Sequence, residues 1–530
     1  MFASTATSRT LSIVLTASSL LACGGGGGGS GDSGNPGGPG PSPATYTVGG
    51  SVSGLAGSAL ILQNNGGNNL SVSANGAFSF TSPVATGSNY AVTVLTQPAG
   101  QTCTVSSGSG TMANAAISSI SVACRAQVAR FIYAPDTGSG DVSAYAINPN
   151  SGMLTAVPGS PFAAAQSPWL ITADPAGKFL YVANEGSTTP PQISVYAINT
   201  TTGGLTQNLL SPFDLSQPPP PNGTALLGKP IIHPSGKFGY LANSTDGRLY
   251  GATVDPTTGN LSPLTVVNVG STLLGPAFFG NAGNFLYLPY STPAGGIDEF
   301  EVDQSTGNLA LVGQFPTGGN VSAFASLDPS GKFLVSANQY SSSFGTTGSV
   351  TVFAVNPTDG TLTTVTGSPF VTSGQASVVA FHPNKPFIYI TLYSPTAPNT
   401  IAAYQMDSQG VLHSIPGSPF AAGGTKTGLP AIDPSGKFLF VANGGSNNIQ
   451  GFAIDAATGA LTPVPGSPFT TEVSPYPVVI DPSGKYLYAA NNGSSSISAY
   501  SIDGTSGALT LINTVSAGTS PGLLELVGRQ

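Results

Sequence analysis

The strongest constraint on the fold is a repeat of about 50 residues. Eight segments read FIYAPD, FLYVAN, FGYLAN, FLYLPY, FLVSAN, FIYITL, FLFVAN and YLYAAN, and they begin at Phe131, Phe179, Phe238, Phe285, Phe333, Phe387, Phe438 and Tyr486. Each precedes a second apolar strand such as ISVYAIN, a turn such as T-T-G at 201–203 and a short strand such as LTPV. Most follow a strand that ends in D-P-S-G-K or a variant of it. Four strands at this period are typical of a propeller blade. One four-stranded sheet cannot bury both of its faces alone, so we expect the repeats to stack against one another.

The two ends of the repeat array complement each other. The first repeat lacks an inner strand, and the chain ends on a spare strand at 521–528, with Arg529 where other repeats have Lys. We expect the last strand to complete the first blade, which would remove exposed sheet edges. The predicted fold is therefore all-β, with an eight-bladed β-propeller. A seven-bladed propeller is the alternative if the weak repeat around Phe278 forms no blade.

The composition favours strands and turns, and the charge argues against nucleic acid as a partner. Only 6% of residues are charged, and the chain has 71 Gly and 45 Pro, so helix should be scarce. The formal net charge is −8 and no run of Lys or Arg occurs. Nucleic acid is therefore not an expected partner.

The first residues have the features of an export signal. Arg9 precedes an apolar stretch from Leu11 to Leu21, which is too short and too rich in Ser and Thr for a membrane span. The tetrapeptide Leu20-Leu21-Ala22-Cys23 resembles the bacterial lipobox, in which the cysteine is acylated and becomes the first mature residue. We predict a lipoprotein signal peptide at 1–22, a lipid anchor on Cys23 and a flexible Gly/Pro/Ser-rich tether at 23–44. An ordinary signal peptide with a chance cysteine is the alternative.

Short alternating strands between 45 and 125 predict a small β-sandwich ahead of the propeller. Cys103 and Cys124 lie in this segment, and in an oxidising compartment we expect them to form a structural disulfide. The module resembles the immunoglobulin-like domains of bacterial surface proteins, which implies a spacer. The propeller is assigned to 126–530.

The motifs P-S-G-K, F-L-Y-V-A-N, I-S-V-Y-A-I and T-G-x-L-T resemble the propeller family that contains bacterial 6-phosphogluconolactonase, muconate-lactonising enzymes and surface repeats named for Tyr-Val-Thr-Asn. The resemblance implies the fold and a lactonase-type hydrolase. It rests on the blade-building residues, so function must be argued from the site.

The blade topology separates two faces. The P-S-G-K and T-G turns share one monotonous face, and the other carries long irregular loops at 184–192, 211–228, 338–348 and 394–399. Such loops on a rigid scaffold usually bear binding groups, so we place the site on the varied face, over the channel mouth.

The imidazole base implied by the family resemblance is missing from this face. Lactonases of the family often have a Pro-His pair at the start of an inner strand. Counting back five residues from each turn Asp or its equivalent gives Trp169, Gly228, Gly275, Ala323, Ser377, Gly428, Tyr476 and, in the closing strand, Ser520. The three histidines of the chain, His233, His382 and His413, are predicted to be turn or surface residues.

Other groups remain as candidates for ligand binding. Five lysines belong to the repeat turn of the opposite face, which leaves Lys229, Arg248 and Lys426 as cations on the varied face. Asp246 and Arg248 share one loop, either as a base with its cationic neighbour or as a solvated ion pair. Trp169 and Tyr476 could offer aromatic platforms or simply pack at the rim. The remaining acids assigned to this face are Glu185, Asp298, Glu299 and Glu472.

These residues leave two hypotheses. The first is a hydrolase of a sugar lactone or similar ester, with catalytic residues not identified from the sequence. The second is a non-catalytic surface propeller that binds a glycan or an envelope protein. No metal-ligand cluster or cofactor motif is present, so neither a metal nor a cofactor is expected. Membrane contact is expected through the lipid anchor alone, in an outer-membrane lipoprotein of the cell envelope that is either periplasmic or surface-exposed.

Overall fold

The computed structural model describes residues 44–529, apart from 57–59, 99–100, 127, 186–191, 210, 212, 215–226, 265, 270–274, 281–282, 292–294, 320–321, 340–346 and 395–397. The predicted signal peptide, Cys23 and nearly all of the predicted tether therefore lie outside the described residues. Within them the regular structure is β-strand, as predicted, and none of it is α-helix. No helix in this part of the chain is long and apolar enough to cross a membrane.

The repeats form eight antiparallel sheets, numbered here blades 1 to 8. The inner strands of blades 1 to 8 are Glu525–Arg529, Pro168–Ala173, Ile231–Ile232, Phe278–Gly280, Ser322–Leu327, Gln375–Phe381, Ala431–Ile432 and Pro475–Ile480. The second strands are Val128–Asp136, Phe179–Asn184, Phe238–Asn243, Phe285–Tyr290, Phe333–Asn338, Phe387–Tyr393, Phe438–Asn443 and Tyr486–Asn491. Blade 1 thus takes its inner strand from the chain terminus, as the sequence predicts.

The third strands follow in the same blade order: Asp141–Ile147, Gln192–Ile198, Arg248–Val254, Gly296–Val302, Ser349–Val355, Thr400–Met406, Asn448–Ile454 and Ser496–Ile502. The outer strands of blades 4 and 8 are continuous, Leu309–Pro316 and Leu509–Ser516. Each remaining outer strand consists of two short pieces: Leu154–Ala156 with Phe162–Ala163, Leu205–Gln207 with Phe213–Asp214, Leu261–Pro263 with Val267–Asn268, Leu362–Thr364 with Phe370–Val371, Leu412–Ser414 with Phe420–Ala421, and Leu461–Pro463 with Phe469–Thr470.

Apolar cores between neighbouring blades close the ring. Each adjacent pair shares one buried cluster, and the cluster between blades 8 and 1 contains Tyr488 and Ile497 together with Ile132 and Tyr145. Burial of these side chains is the main favourable term in stacking the blades. The segment around Phe278 forms the inner strand of blade 4, so the described residues make eight blades.

A repeated contact explains the motif F-x-Y and the T-G turn. Gly259 of blade 3 has φ +73°, and a Cβ there would lie 2.4 Å from the Phe179 ring of blade 2. The Tyr181 hydroxyl donates to the Gly259 carbonyl at 3.1 Å. The same tyrosine-to-glycine hydrogen bond joins Tyr133 to Gly203, Tyr240 to Gly307, Tyr287 to Gly360, Tyr389 to Gly459 and Tyr488 to Gly152. The residues that identify the repeat therefore hold neighbouring blades together.

The turn residues also have a structural role. The Asp174 carboxylate accepts hydrogen bonds from the backbone N–H of Lys178 and Phe179, both at 2.6 Å. Asp174 also accepts the N–H two residues on, from Ala176 at 3.1 Å. Where histidine replaces this Asp, the ring keeps that contact, since the Ser235 N–H donates to His233 Nδ1 at 3.1 Å. His233 and His382 are buried turn residues, and the exposed His413 pairs with Asp407.

Ahead of the propeller, two four-stranded sheets share one apolar core. In sheet order the first contains Gly76–Ser79, Val48–Ser53, Ile117–Ala126 and Gln101–Ser106, and the second contains Asn68–Val72, Leu60–Asn64, Asn89–Thr96 and Ser109–Thr111. Thr45–Tyr46 pairs separately with Val84–Ala85. Cys103 and Cys124 face each other across neighbouring strands and form the predicted disulfide.

Candidate functional site

The inner strands of the propeller surround a cavity of about 540 Å³. Several of its lining residues, among them Trp169, Lys229 and Tyr476, lie at or just before the start of an inner strand. Its volume lies within the range typical of small-molecule sites. Much of its wall is apolar, with Leu170, Leu429, Val478, Val479, Leu523 and Leu524 among the lining residues.

Three of the predicted site residues lie in this wall: Trp169, Lys229 and Tyr476. The two aromatic side chains occupy equivalent positions in blades 2 and 8, and each is half-buried. A Cβ on Gly522 would lie 3.3 Å from the Trp169 ring, and one on Gly428 would lie 2.6 Å from the Tyr476 ring. Glycine in the neighbouring strand therefore leaves room for each ring, and both rings border the space that a ligand would occupy.

Lys229 is the charged residue among the described residues that line the cavity, and its ion-pair partner Glu525 directly follows the lining residue Leu524. The Lys229 ammonium lies 3.2 Å from Glu525 Oε2, with 37% of the lysine side chain and 20% of the glutamate side chain exposed. Glu525 Oε1 accepts a hydrogen bond from the Ala173 backbone N–H at 3.1 Å. One carboxylate oxygen is thus anchored on blade 2, and the other joins the inner strand of blade 1 to the start of blade 3.

Glu525 was not among the residues that the sequence analysis selected. It pairs with Tyr133, as Val479 of the cavity wall pairs with the equivalent Tyr488. The strand register also corrects the position predicted for the closing strand. The counterpart of Tyr476 is Gly522, two residues beyond Ser520, because Pro521 pairs with Asp136 as Pro475 pairs with Asn491.

Asp246 lies in the hairpin loop of blade 3 and Arg248 begins the strand that follows it, and neither residue contributes to the cavity wall. Their side chains are 4.0 Å apart, and the Tyr250 hydroxyl donates to the Asp246 carboxylate. The Asp246 Oδ1 accepts the Arg248 backbone N–H at 3.1 Å. These contacts organise the loop and leave little of the Asp246 carboxylate accessible to a ligand.

Lys426 is exposed and also lies outside the cavity wall. Its backbone has φ +51°, and its carbonyl accepts the Gly444 N–H at 3.1 Å. Glu185 lies nearer to the cavity, since its carboxylate accepts a hydrogen bond from the Leu227 N–H at 3.3 Å and Leu227 is a lining residue. Burial raises the pKa of Glu185.

The assignment of Asp298 and Glu299 to the varied face was wrong. Both lie within the third strand of blade 4 and are almost completely buried. Burial raises the pKa of Asp298 to about 6, and Gln314 donates to it at 2.9 Å. Burial, together with the charge of Asp359, raises the pKa of Glu299 to about 7. Neither carboxyl reaches the cavity wall.

Within the described residues, no group of three or more His, Cys, Asp or Glu side chains could hold a metal ion. The described residues that line the cavity include one ammonium, that of Lys229, and three aromatic rings, those of Trp169, Phe324 and Tyr476, and the Glu525 carboxylate is paired with the ammonium. An ammonium can stabilise a developing oxyanion, and a carboxylate can accept a proton from water.

The fold and the cavity define a closed β-propeller with a ligand-sized central site. A family model described as a seven-bladed β-propeller lactonase matches residues 94–219, 230–381 and 379–525. The chain therefore belongs to this lactonase family. Its described residues form eight blades, one more than the family description states.

Individual relatives share a smaller part of the sequence. The 6-phosphogluconolactonase of Formosa agariphila is 32% identical over 117 residues, which are 21% of this chain and 33% of the relative. The chain thus matches about one third of that relative's length. A candidate 6-phosphogluconolactonase of Bacteroides uniformis superposes with a TM-score of 0.51 at 16% identity, over 76% of this chain and 99% of the other. The periplasmic gluconolactonase of Pseudomonas aeruginosa superposes with a TM-score of 0.49 at 18% identity, over 75% of this chain and 98% of the other. The Bacteroides structure shows a shared fold alone.

Proposed function

We propose that this protein hydrolyses a lactone in the central cavity, with Lys229 and Glu525 as the reacting pair. The observation that carries the proposal is their 3.2 Å contact: Lys229 lines the cavity together with Trp169, and Glu525 directly follows the lining residue Leu524. Membership of the lactonase family supports the same reaction class.

Glu525 has the geometry of a general base. Its Oε1 is held by the Ala173 N–H, and Oε2 lies 3.2 Å from the ammonium of Lys229, which lines the cavity. A water molecule beside Oε2 would lose a proton to the carboxylate while its oxygen attacks the lactone carbonyl carbon. The fixed strand position of Glu525 means that little reorganisation is needed before this step.

Lys229 would act on the carbonyl oxygen. Its ammonium has three N–H donors, and one of them is used by Glu525. A free donor can hydrogen-bond the carbonyl oxygen and stabilise the negative charge that develops when water adds. Collapse of the tetrahedral intermediate then breaks the bond to the ring oxygen, which takes up the proton held by Glu525. The product is the open-chain hydroxy acid.

We also propose that the protein is exported and lipid-anchored through Cys23. Arg9, the apolar stretch and the Leu-Leu-Ala-Cys motif support this proposal. The Cys103–Cys124 disulfide suits an oxidising compartment outside the cytoplasm. An envelope location would place the cavity where it meets lactones from the surroundings of the cell.

The test is hydrolysis of a panel of lactones by the purified protein, followed as acid release at constant pH. We expect turnover well above the spontaneous rate. Glu525→Gln should lower kcat about 100- to 10,000-fold, and Lys229→Met should lower it about 100- to 1,000-fold. Lys426→Met is the matched control, because it removes a lysine of the same face that lies outside the cavity wall.

Retention of full activity in Glu525→Gln would exclude this carboxylate as the base. If no lactone of the panel is hydrolysed, the proposal fails, and screening for glycan or envelope-protein binding becomes the next step. Circular dichroism of each variant shows whether an activity loss reflects the site or a loss of fold.

A further inference from the structure

The charges around the cavity show which kind of lactone it can accept. Lys229 is the one basic side chain in the wall formed by the described residues, and its ammonium is already paired with Glu525. Arg248 lies beside Asp246, and Lys426 lies outside the wall. Within the described part of the molecule, the cavity wall thus holds no unpaired cation.

The propeller residues outside the described part of the chain add no cation. Their sequences contain no Lys, Arg or His, and also no Asp or Glu. The lysines of the repeat turns belong to the opposite face. A phosphate group entering the cavity would therefore depend on Lys229 for a cationic partner.

A phosphate monoester would also meet negative charge. Glu525 lies against Lys229, and Glu185 is hydrogen-bonded to Leu227 at the cavity edge. A phosphate carries between one and two negative charges at neutral pH and is usually bound by several cationic or N–H donors. If it bound a remaining donor of Lys229, it would lie next to the Glu525 carboxylate, and the two negative charges would repel each other.

The rest of the wall favours an apolar ligand. Leu170, Leu429, Leu523 and Leu524 border the cavity together with Val478 and Val479. These side chains offer no hydrogen bonds to sugar hydroxyls, which would lose water without replacement. An alkyl chain would instead gain about fourfold in affinity for each methylene that it buries.

We propose that the cavity selects uncharged lactones whose ring carries an apolar chain, and that it discriminates against phosphorylated sugar lactones. The proposal names the substrate class of the catalytic site and rests on the proposed function for turnover. The ring carbonyl lies at Lys229, and the chain lies along the leucines and valines of the wall.

Binding can be measured without hydrolysis, because Trp169 is the single tryptophan of the chain and borders the cavity. Its fluorescence is titrated with δ-lactams, in which an N–H replaces the ring oxygen. We expect a pentyl-substituted lactam to bind on the order of 100-fold more tightly than its methyl analogue. Phosphorylated gluconolactam should bind at least about tenfold more weakly than gluconolactam itself.

A substitution shows whether the charge of Glu525 or the shape of the cavity weakens the binding of the phosphorylated lactam. Glu525→Gln leaves Lys229 without a carboxylate partner, so affinity for the phosphorylated lactam should rise about tenfold relative to the parent protein. Glu472→Gln is the matched control, since it removes an exposed carboxylate of the varied face that lies outside the wall. The control should leave the ratio of phosphorylated to unphosphorylated affinity unchanged.

The two proposals fail in different ways. Tighter binding of phosphorylated gluconolactam than of the pentyl lactam overturns the substrate class, even if lactones are hydrolysed. Tight binding of the pentyl lactam without hydrolysis of any lactone overturns the reaction and leaves the ligand class standing. Equal affinity for the pentyl and methyl lactams contradicts the role of the apolar wall.

Discussion

Replacing Asp136 with Asn should stabilise the protein at alkaline pH. Asp136 ends the second strand of blade 1, and the equivalent residues of five other blades are buried asparagines: Asn184, Asn243, Asn338, Asn443 and Asn491. In blade 7 the amide of Asn443 donates to Asn448 Oδ1 at 2.8 Å. Asp136 instead faces the Asp141 carboxyl, so it needs a proton to make the same hydrogen bond.

The magnitude follows from the burial of this carboxyl. Asp136 is fully buried, and burial raises its pKa from 3.8 to about 7. A raised pKa means that the folded state holds the proton more tightly than the unfolded state. The stabilisation is complete below about pH 4 and disappears as the pH rises through 7. A shift of about three pKa units corresponds to at most about 4 kcal/mol, and we expect Asp136→Asn to recover about 2 to 4 kcal/mol at pH 8.

The assay is thermal unfolding of the parent protein and the variant at pH 5 and pH 8. For a propeller of about 400 residues, 2 to 4 kcal/mol corresponds to a rise in Tm of about 2 to 5 °C at pH 8. At pH 5 the two proteins should differ by less than about 1 °C. The converse change, Asn491→Asp, provides the control and should destabilise blade 8 more at pH 8 than at pH 5. An equal Tm difference at both pH values would refute the reasoning.

Three further changes test other parts of the account. Tyr181→Phe removes the hydroxyl that donates to Gly259, leaves a buried carbonyl unpaired and should cost about 1 to 2 kcal/mol in urea unfolding. Replacing Cys103 and Cys124 with Ala should cost about 3 kcal/mol, and a reducing agent should then affect the parent protein but not the variant. Cys23→Ser should move the protein from the membrane fraction to the soluble fraction, and continued membrane association would contradict the lipid anchor.

The propeller could be predicted from the sequence because the repeated residues are the ones that join the blades. Phe179 and Tyr181 lie on Gly259 of the next blade, so the spacing between the motif and the glycine is fixed by a contact. The glycine recurs in all eight repeats and the tyrosine in six of them. The chain's order of strands then follows from the period, including closure by the last strand.

The cavity could be predicted in part for a similar reason. Trp169 and Tyr476 were located by counting back from a turn Asp that anchors the inner strand. Glu525 was missed because the closing strand ends the chain and has no such turn after it. Counting from Arg529 placed the register two residues away from the one observed.

The burial of Asp298 and Glu299 could not be predicted from the sequence. At the position of Glu299 the other blades have Ala, Val or Gly, and charged side chains are rarely buried without a partner. Asp298 and Glu299 were assigned to the varied face instead. Their raised pKa values of about 6 and 7 reflect the burial that the sequence did not indicate.

A crystal structure of the protein with the pentyl-substituted δ-lactam would test the central claim most directly. We predict that the lactam carbonyl oxygen lies within hydrogen-bonding distance of Lys229 Nζ, that Glu525 faces the carbonyl carbon, and that the alkyl chain contacts the wall near Leu524. A lactam bound elsewhere, with the Lys229–Glu525 pair undisturbed and the cavity free of ligand, would contradict the claim.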